Sequence, residues 1–289
     1  ELPIGTVASV NGYIWPGAIG YDIGCGMCHV DTGLPAQGLD RASLEYWYNL
    51  IKEKIPVGPK GHKKRIAPID FTSASRDSQL TEFVQGKLKQ LGSLGGGNHF
   101  IEFGISRTSG HLGITIHSGS RRPGHAMAEY WMERAKSEGI NWNGFSMFPW
   151  LSALGFQYAE DMKWAENFAY LNRYYMMEII LLTLFGVEKA NKMMEGMINE
   201  SHNHATGGPE GEDTVIHRKG ATPAMAGQWG IIPGNMGDGV AITLGLGNGE
   251  YMDSASHGAG RVMSRTKAKK NIELDKFKKD MKNIVCDTN

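Results

Sequence analysis

The chain has 289 residues, enough for one large domain or two small ones around a sizeable core. Its 30 Lys and Arg balance 30 Asp and Glu, so no global field calls for nucleic acid, although a local basic patch stays compatible with that balance. Three cysteines exclude a disulfide framework and the apolar run at 179–185 is far short of the ~20 residues that cross a bilayer, so a cytoplasmic protein without a membrane span is expected.

Residue 1 is Glu rather than an initiator Met, and no secretory signal follows it. Residues 1–35 read as β-rich. Runs at 4–10 and 13–19 flank Asn11-Gly12, a strong hairpin signal. Then comes Gly20-Tyr21-Asp22-Ile23-Gly24-Cys25-Gly26-Met27, which sets a carboxylate and a thiol three residues apart among glycines. The expected setting is a strand that delivers Asp22 and Cys25 into a crowded interior. Residues 43–54 form a candidate helix ending before Pro56, and 78–91 another. Between them, Lys60-Gly61-His62-Lys63-Lys64-Arg65 is a basic loop, read first as a solvated face and second as a phosphate-backbone contact.

The stretches Gly95-Gly96-Gly97-Asn98-His99-Phe100-Ile101-Glu102 and Ile114-Thr115-Ile116-His117-Ser118-Gly119-Ser120-Arg121 each join a β-prone run to a glycine-rich corner with one histidine. A lone histidine is usually structural; two in equivalent strand-edge settings favour ligation. Residues 125–200 are the helical block. Within 158–185, Trp164, Phe168, Leu171, Tyr175, Ile179 and Leu182 recur every three or four residues, one face of an amphipathic helix. Asp161, Glu166, Asn167 and Arg173 fall on its opposite, polar face. The methionines from Met193 to Met197 read as gap-filling core. Past 201 the chain turns β-like again, with a strand at 241–244, and a Lys-rich helical tail spans 267–282. No repeat or linker interrupts it, so the expectation is a single compact α+β domain over 1–289, with mixed β-sheets and a central helical block.

Asp22, Cys25, His99, His117 and His202 are the candidate metal ligands. A carboxylate, a thiolate and three imidazoles exceed what one tetrahedral ion needs, and fit two neighbouring ions with one ligand shared. Two ions ~4 Å apart can clamp the attacking and leaving oxygens of a phosphoryl transfer. Ligand softness favours zinc, while the carboxylate and imidazoles suit manganese equally. Cys25 and Cys28 also form a C-x-x-C pair, but the second pair a zinc ribbon requires is missing. The glycine-rich stretches at 95–97, 233–237 and 258–260 match neither the phosphate loop nor the dinucleotide fingerprint; each is first a structural feature and second a place for backbone N–H groups to meet phosphate. His257, between Ser256 and Gly258-Ala259-Gly260-Arg261, has the chemistry of a covalent nucleophile, a general acid or base, or another ligand.

Taken together, Asp22-Ile-Gly-Cys25-Gly-Met, Gly-Gly-Asn98-His99-Phe-Ile-Glu102, His117-Ser-Gly-Ser-Arg121, His202-Asn203, Arg218-Lys-Gly-Ala, Ile-Pro233-Gly-Asn-Met236-Gly and Ser-His257-Gly-Ala-Gly260-Arg occur in the order found in RtcB-type RNA ligases. The resemblance runs from about residue 3 to about residue 275 and takes in Tyr158 to Ala165 and Asn172-Arg173. It implies an enzyme that joins an RNA 3′-phosphate or 2′,3′-cyclic phosphate to a 5′-hydroxyl, in RNA repair or tRNA splicing, with GTP and two manganese ions. It makes His257 the nucleophile that takes GMP. It assigns Cys25, His117 and His202 to one ion, and Asp22, Cys25 and His99 to the other. It places Asn98, His99, Phe100, Ile101, Glu102, His202, Asn203, Pro233, Gly234, Asn235, Met236, His257, Gly258, Ala259 and Gly260 around the nucleotide, with Asn98 and Asn203 on phosphate and Glu102 on guanine. Asn235 and Val240 stand where the family usually has Ser. The stretch before residue 1 and a C-terminal part with a Tyr and a Lys are expected to be missing; Lys279, Lys282 and Asn289 do not reproduce that ending. A dinuclear metallohydrolase acting on phosphate esters needs the same five ligands without a covalent His257, and a non-catalytic RNA- or nucleotide-binding relative is the third reading.

Overall fold

The computed structural model describes residues 2–207, 213–258, 260 and 262–286. The chain begins with β1 (Thr6–Asn11), β2 (Tyr13–Ile14), the single turn α1 (Pro16–Ile19), β3 (Gly26–Pro35), α2 (Arg41–Lys54) and α3 (Ser78–Gln85). Then come β4 (Phe100–Ile105), β5 (His111–Ser118), α4 (Arg121–Glu138), β6 (Ile140–Trp142), β7 (Phe145–Pro149), α5 (Ala153–Phe185) and α6 (Val187–Met194). The remainder is β8 (Ile198–Ser201), β9 (Asn203–Gly207), β10 (Thr214–Lys219), β11 (Ala221–Pro223), β12 (Trp229–Pro233), β13 (Val240–Leu244), β14 (Ser254–Ser256), α7 (Arg265–Asn271) and α8 (Leu274–Asp280). The fold is α+β, with small antiparallel sheets around the helices. Among the described residues no helix is long and apolar enough to cross a membrane.

Several local expectations change. Gly12 does turn the chain at φ +73°, but no hairpin forms there. β1 pairs over its whole length with β10, and β2 with β7, so both strands satisfy their hydrogen bonds far along the sequence. Residues 16–19 are helical rather than extended, with Pro16 in the first turn, where its missing N–H costs nothing. The helical block starts at Arg121, and the β6–β7 hairpin interrupts it. The 78–91 segment is α3 followed by a 3₁₀ turn at Leu88–Gln90, and the Lys-rich tail is two short helices.

The sheet ordered β4-β5-β3-β8 positions the site. Its registers put Phe100 opposite His117, His117 opposite Met27, and Met27 opposite Glu200. One row along, Glu102, Thr115, His29 and Ile198 are level; a further row carries Gly104, Gly113 and Asp31. Side chains alternate across a sheet, so these three rows share one face. The other face carries Ile101, Phe103, Ile114, Ile116, Cys28 and Val30, which pack against Met176, Met177, Ile180 and Leu181 of α5.

α5 also departs from the simple amphipathic reading. Phe168 is buried as expected, but Leu182 is 38% exposed, and Asp161 and Arg173, placed on the solvent face by periodicity, are at most 2% exposed, as is Asn172 beside Arg173. Asp161 accepts hydrogen bonds from Ser73, the Ala74 N–H and Trp131 at 2.8–2.9 Å. The first half of the helix joins one apolar cluster with α3 and α4, and the second half joins the cluster beneath the sheet. Asn172 and Arg173 lie between the two.

Candidate metal and nucleotide site

Asp22 and Cys25 lie in the turn between α1 and β3, just before the strand rather than in it. The Cys25 N–H donates to the Asp22 carbonyl at 3.1 Å, and the His202 N–H donates to the Cys25 carbonyl at 2.7 Å, tying this turn to the β8–β9 junction. His117 ends the groove face of β5, and His99 lies immediately before β4. The close approach at Gly119 is obligatory, since a Cβ there would overlap the Asp22 carboxylate.

All five proposed ligand residues converge. The donor atoms of Cys25, His117 and His202 lie within 4.8 Å of one another, as do those of Asp22, Cys25 and His99. Cys25 Sγ is 3.3 Å from His117 Nε2 and 3.6 Å from His99 Nε2. His117 Nε2 is 3.3 Å from His202 Nε2, and His99 Nε2 is 3.0 Å from Asp22 Oδ2. The first set is wholly buried; in the second only Cys25 is.

Hydrogen bonding behind the rings sets their tautomers. Nδ1–H of His99 donates to the Leu94 carbonyl at 3.0 Å, and Nδ1–H of His117 to the Asn98 carbonyl at 3.2 Å. Both Nε2 atoms then present lone pairs inward, as backbone-anchored metal ligands do. Lone-pair atoms gather around one thiol, whose single hydrogen cannot serve them all. A cation on each side of the sulfur resolves that crowding, so the donors fit two ions sharing Cys25. Burial and mutual proximity shift these groups strongly. Burial, then the Asp22 charge, raises the Cys25 thiol well above its usual range. Burial, reinforced by the neighbouring imidazoles, lowers His117 to about 3 and His202 well below 6.5.

His257 follows β14 and is fixed by its N–H donating to the Gly220 carbonyl at 2.9 Å. Its ring lies 4.0 Å from that of His202 and 6.0 Å from that of His117, centroid to centroid. Nδ1 is buried without a hydrogen-bond partner. Burial lowers its pKa, which keeps a lone pair free on the ring at neutral pH.

A large groove runs from these rings along the sheet, and Asn98, His99, Phe100, Glu102 and His257 border it. So do Pro233, Gly234, Asn235, Met236 and Gly258, with Val240. The Phe100 ring meets His117 edge-on at 5.5 Å, and burial raises the Glu102 carboxyl. Three expected contacts differ in detail. The Ile101 side chain is on the opposite face of the sheet from His117 and packs against the core cluster. Asn203 Nδ2 donates to the Asp22 carbonyl at 3.0 Å and its Oδ1 accepts from the Gly220 N–H at 2.7 Å, so that amide braces the ligand turn. Asn235 Oδ1 accepts the N–H groups of Gly237 and Asp238 and closes its own turn. Gly260 is exposed, and Ala259 and Arg261 lie outside the described residues.

Sequence periodicity missed the brace beneath the site. Arg173 Nη1 donates to the carbonyls of Gly24 and Ser118, both at 2.9 Å, and Nε to Asn199 Oδ1 at 2.6 Å. Asn172 ties Ser93, Ser118 and Gly119 together. One helical step of α5 thus holds the segments that carry Cys25, His117 and His202. The adjacent pair Asn172-Arg173 inside the largely apolar run 168–185 was the available signal.

The family profile described as "tRNA-splicing ligase RtcB" matches residues 1–79 and 69–288. The chain belongs to the RtcB family. It is 35% identical to the RNA-splicing ligase RtcB of Escherichia coli (strain K12), over 98% of this chain and 76% of that relative. It is 28% identical to the tRNA-splicing ligase RtcB of Thermococcus kodakarensis, over 97% of this chain and 74% of that relative. Membership covers the ligand turn, the groove-facing sheet and His257 within one continuous similarity to RtcB proteins.

Proposed function

We propose that this RtcB-family chain is a GTP- and manganese-dependent RNA ligase, acting in the cytoplasm on RNA with a 3′-phosphate or 2′,3′-cyclic phosphate end and a 5′-hydroxyl end. The observation that carries the proposal is the His257 ring 4.0 Å from that of His202, beside two donor sets that share Cys25.

Asp22, Cys25, His99, His117 and His202 would hold two manganese ions, which when bound supply Lewis-acid charge to phosphate oxygens. His257 is uncharged and oriented by its backbone, so its lone pair attacks the α-phosphorus of GTP. The N–P bond forms as the bond to the leaving pyrophosphate breaks. An oxygen of the RNA 3′-phosphate then takes GMP from His257, a cyclic end having first been opened by water. The 5′-hydroxyl attacks that activated phosphorus, loses its proton, and expels GMP. Phe100 and Glu102 with the 233–240 turn would hold the nucleotide while the terminal phosphates lie toward the histidines.

Incubation with manganese and labelled GTP is expected to give an acid-labile, alkali-stable protein–GMP adduct, absent in His257→Ala. Absence of any adduct in the wild-type protein rejects this mechanism. Phosphate-ester turnover without GTP, unchanged in His257→Ala, would instead make it a metallohydrolase.

A further inference from the structure

Beyond Glu102, the groove floor has a second polar group that neither the resemblance nor the metal chemistry uses. His29 lies level with Thr115 and Glu102, two strands across from the carboxylate, on the face that also carries His117. With strands 4.7–4.9 Å apart, Glu102 and His29 stand about 10 Å from one another at their backbones. The row they form is two residues along the strands from the His117 row, about 7 Å. That offset leaves room for a ribose between the histidine cluster and a base lying over this row.

His29 is held as a specificity group would be. Its Nδ1 is 2.8 Å from Thr115 Oγ1. Its ring lies on Gly113, with Cε1 2.8 Å from where a Cβ would stand, so any larger residue there would push the imidazole from this position. Burial lowers its pKa, leaving the ring neutral. Nε2 has no protein partner among the described residues, and His29, Thr115 and Gly113 all border the groove. The opposite wall is close: Glu102 Oε1 is 3.6 Å from where a Cβ on Gly239 would lie.

We propose that His29 is a second base-reading residue, with Thr115 holding its Nδ1 so that Nε2–H donates to N7 of a purine whose opposite edge meets Glu102. This rests on the nucleotide reading above. It gives the chain a base-side contact of its own where Val240 replaces a polar residue, and it makes N7 of the base, not only its Watson–Crick edge, part of the recognition.

The test compares GTP with 7-deaza-GTP, in which N7 is replaced by C–H, in adduct formation and in competition for a fluorescent GTP analogue. Wild-type protein is expected to prefer GTP by roughly three- to tenfold, the worth of one neutral hydrogen bond. His29→Ala and Thr115→Val should lose that preference through KM while still preferring GTP to ATP; His29→Gln, which keeps a donor, should recover part of it. Equal use of the two nucleotides by the wild type, or an unchanged preference in His29→Ala, overturns the inference while leaving the ligase reading intact. If no adduct forms, the competition assay still reads the N7 contact. Failure of both nucleotides to bind overturns this inference together with the proposal it rests on. Thermal melting of each variant separates loss of the contact from loss of fold.

Discussion

On β5, Ile114 and Ile116 are fully buried against α5, while Thr115 and His117 between them face the groove. The two faces are built from alternate residues of the same strands, yet one is a dry aliphatic seal and the other a floor of imidazoles, hydroxyl and carboxylate. The seal supplies stability; the polar face supplies donors and depends on the seal for its rigidity. The two should respond to mutation in opposite ways, and neighbouring residues provide the sharpest contrast.

Apart from loss of the shared Cys25, the largest effect is expected at His117→Ala. Losing a direct ligand should cost more than the ~10–100-fold in metal affinity that loss of an outer partner costs. Equilibrium dialysis should find the first ion lost and adduct formation abolished, with a melting temperature close to wild type in chelator. One residue away, Ile116→Ala should do the reverse. Removing a fully buried aliphatic side chain costs about 2–5 kcal/mol, or roughly 5–15 °C in Tm for a chain of this size, with two ions still bound by the folded protein. Metal loss in both variants at equal stability would refute the division of labour between the faces.

Arg173→Leu tests the link between them. It keeps the apolar bulk but takes the guanidinium from the Ser118 and Gly24 carbonyls, leaving Gly24 only the long 3.4 Å bond from Ser201 Oγ; each buried acceptor left unpaired costs about 1–3 kcal/mol. Both stability and metal affinity should fall together, unlike either β5 variant.

β4 and β5 were legible in the sequence as β-prone runs at glycine-rich corners, because strand propensity is local. So were the five donors and His257, whose residue types and glycine settings suit the chemistry. What the sequence hid was non-local. Asn11-Gly12 is a good turn, but the hydrogen bonds of β1 and β2 are satisfied by β10 and β7, and nothing within the first 35 residues shows that. Asp161 and Arg173 look like solvent residues to a 3.6-residue period, and Asn172 looks like a misplaced polar residue on the apolar side. They are buried because hydroxyls, an indole N–H and backbone groups from distant segments meet them, partners that periodicity does not weigh.

Buried neutral histidines give the metal-free protein a pH dependence. His117 and His204 are lowered to about 3 and His217 to about 4, with burial the main cause in each. The unfolded chain binds these protons from about 6.5 downward and the folded chain does not, so their contribution is complete above pH 6.5 and is lost as pH falls toward 4. Glu102, Asp161, Glu166 and Glu200, raised chiefly by burial, act with the opposite sign and offset part of the slope. His217 isolates the effect: its Nε2 accepts the Trp15 N–H at 2.8 Å, a bond that protonation breaks, and it lies outside the donor sets. His217→Gln should flatten the fall of unfolding free energy between pH 6.5 and 4 by up to about 1.4 kcal/mol per pH unit, read from denaturant titrations at each pH. An unchanged profile would show that His217 titrates normally in the fold.

Gly119→Ala should act on one ion alone. Its Cβ would displace the Asp22 carboxylate, which belongs to the Asp22, Cys25 and His99 set and not to the other. About tenfold weaker binding of the second ion, with the first unchanged, is the outcome to look for by titration.

The smallest effect is expected at Cys28, three residues from Cys25. The two look like a C-x-x-C pair, but they face different surroundings. Cys25 Sγ meets two imidazoles, whereas Cys28 is on the sealed face with Val30, Ile114 and Met176, its Sγ 3.8 Å from the Arg173 carbonyl. Burial raises its thiol to about 12, so it stays protonated and does not compete for a metal. Cys28→Ala therefore removes one small buried group, worth about 1 kcal/mol, and should leave both ions and the adduct untouched. Cys25→Ala, by contrast, should remove the shared ligand and with it both ions. Loss of metal in Cys28→Ala would mean that the pair acts together and that the sheet does not separate its two faces at this end.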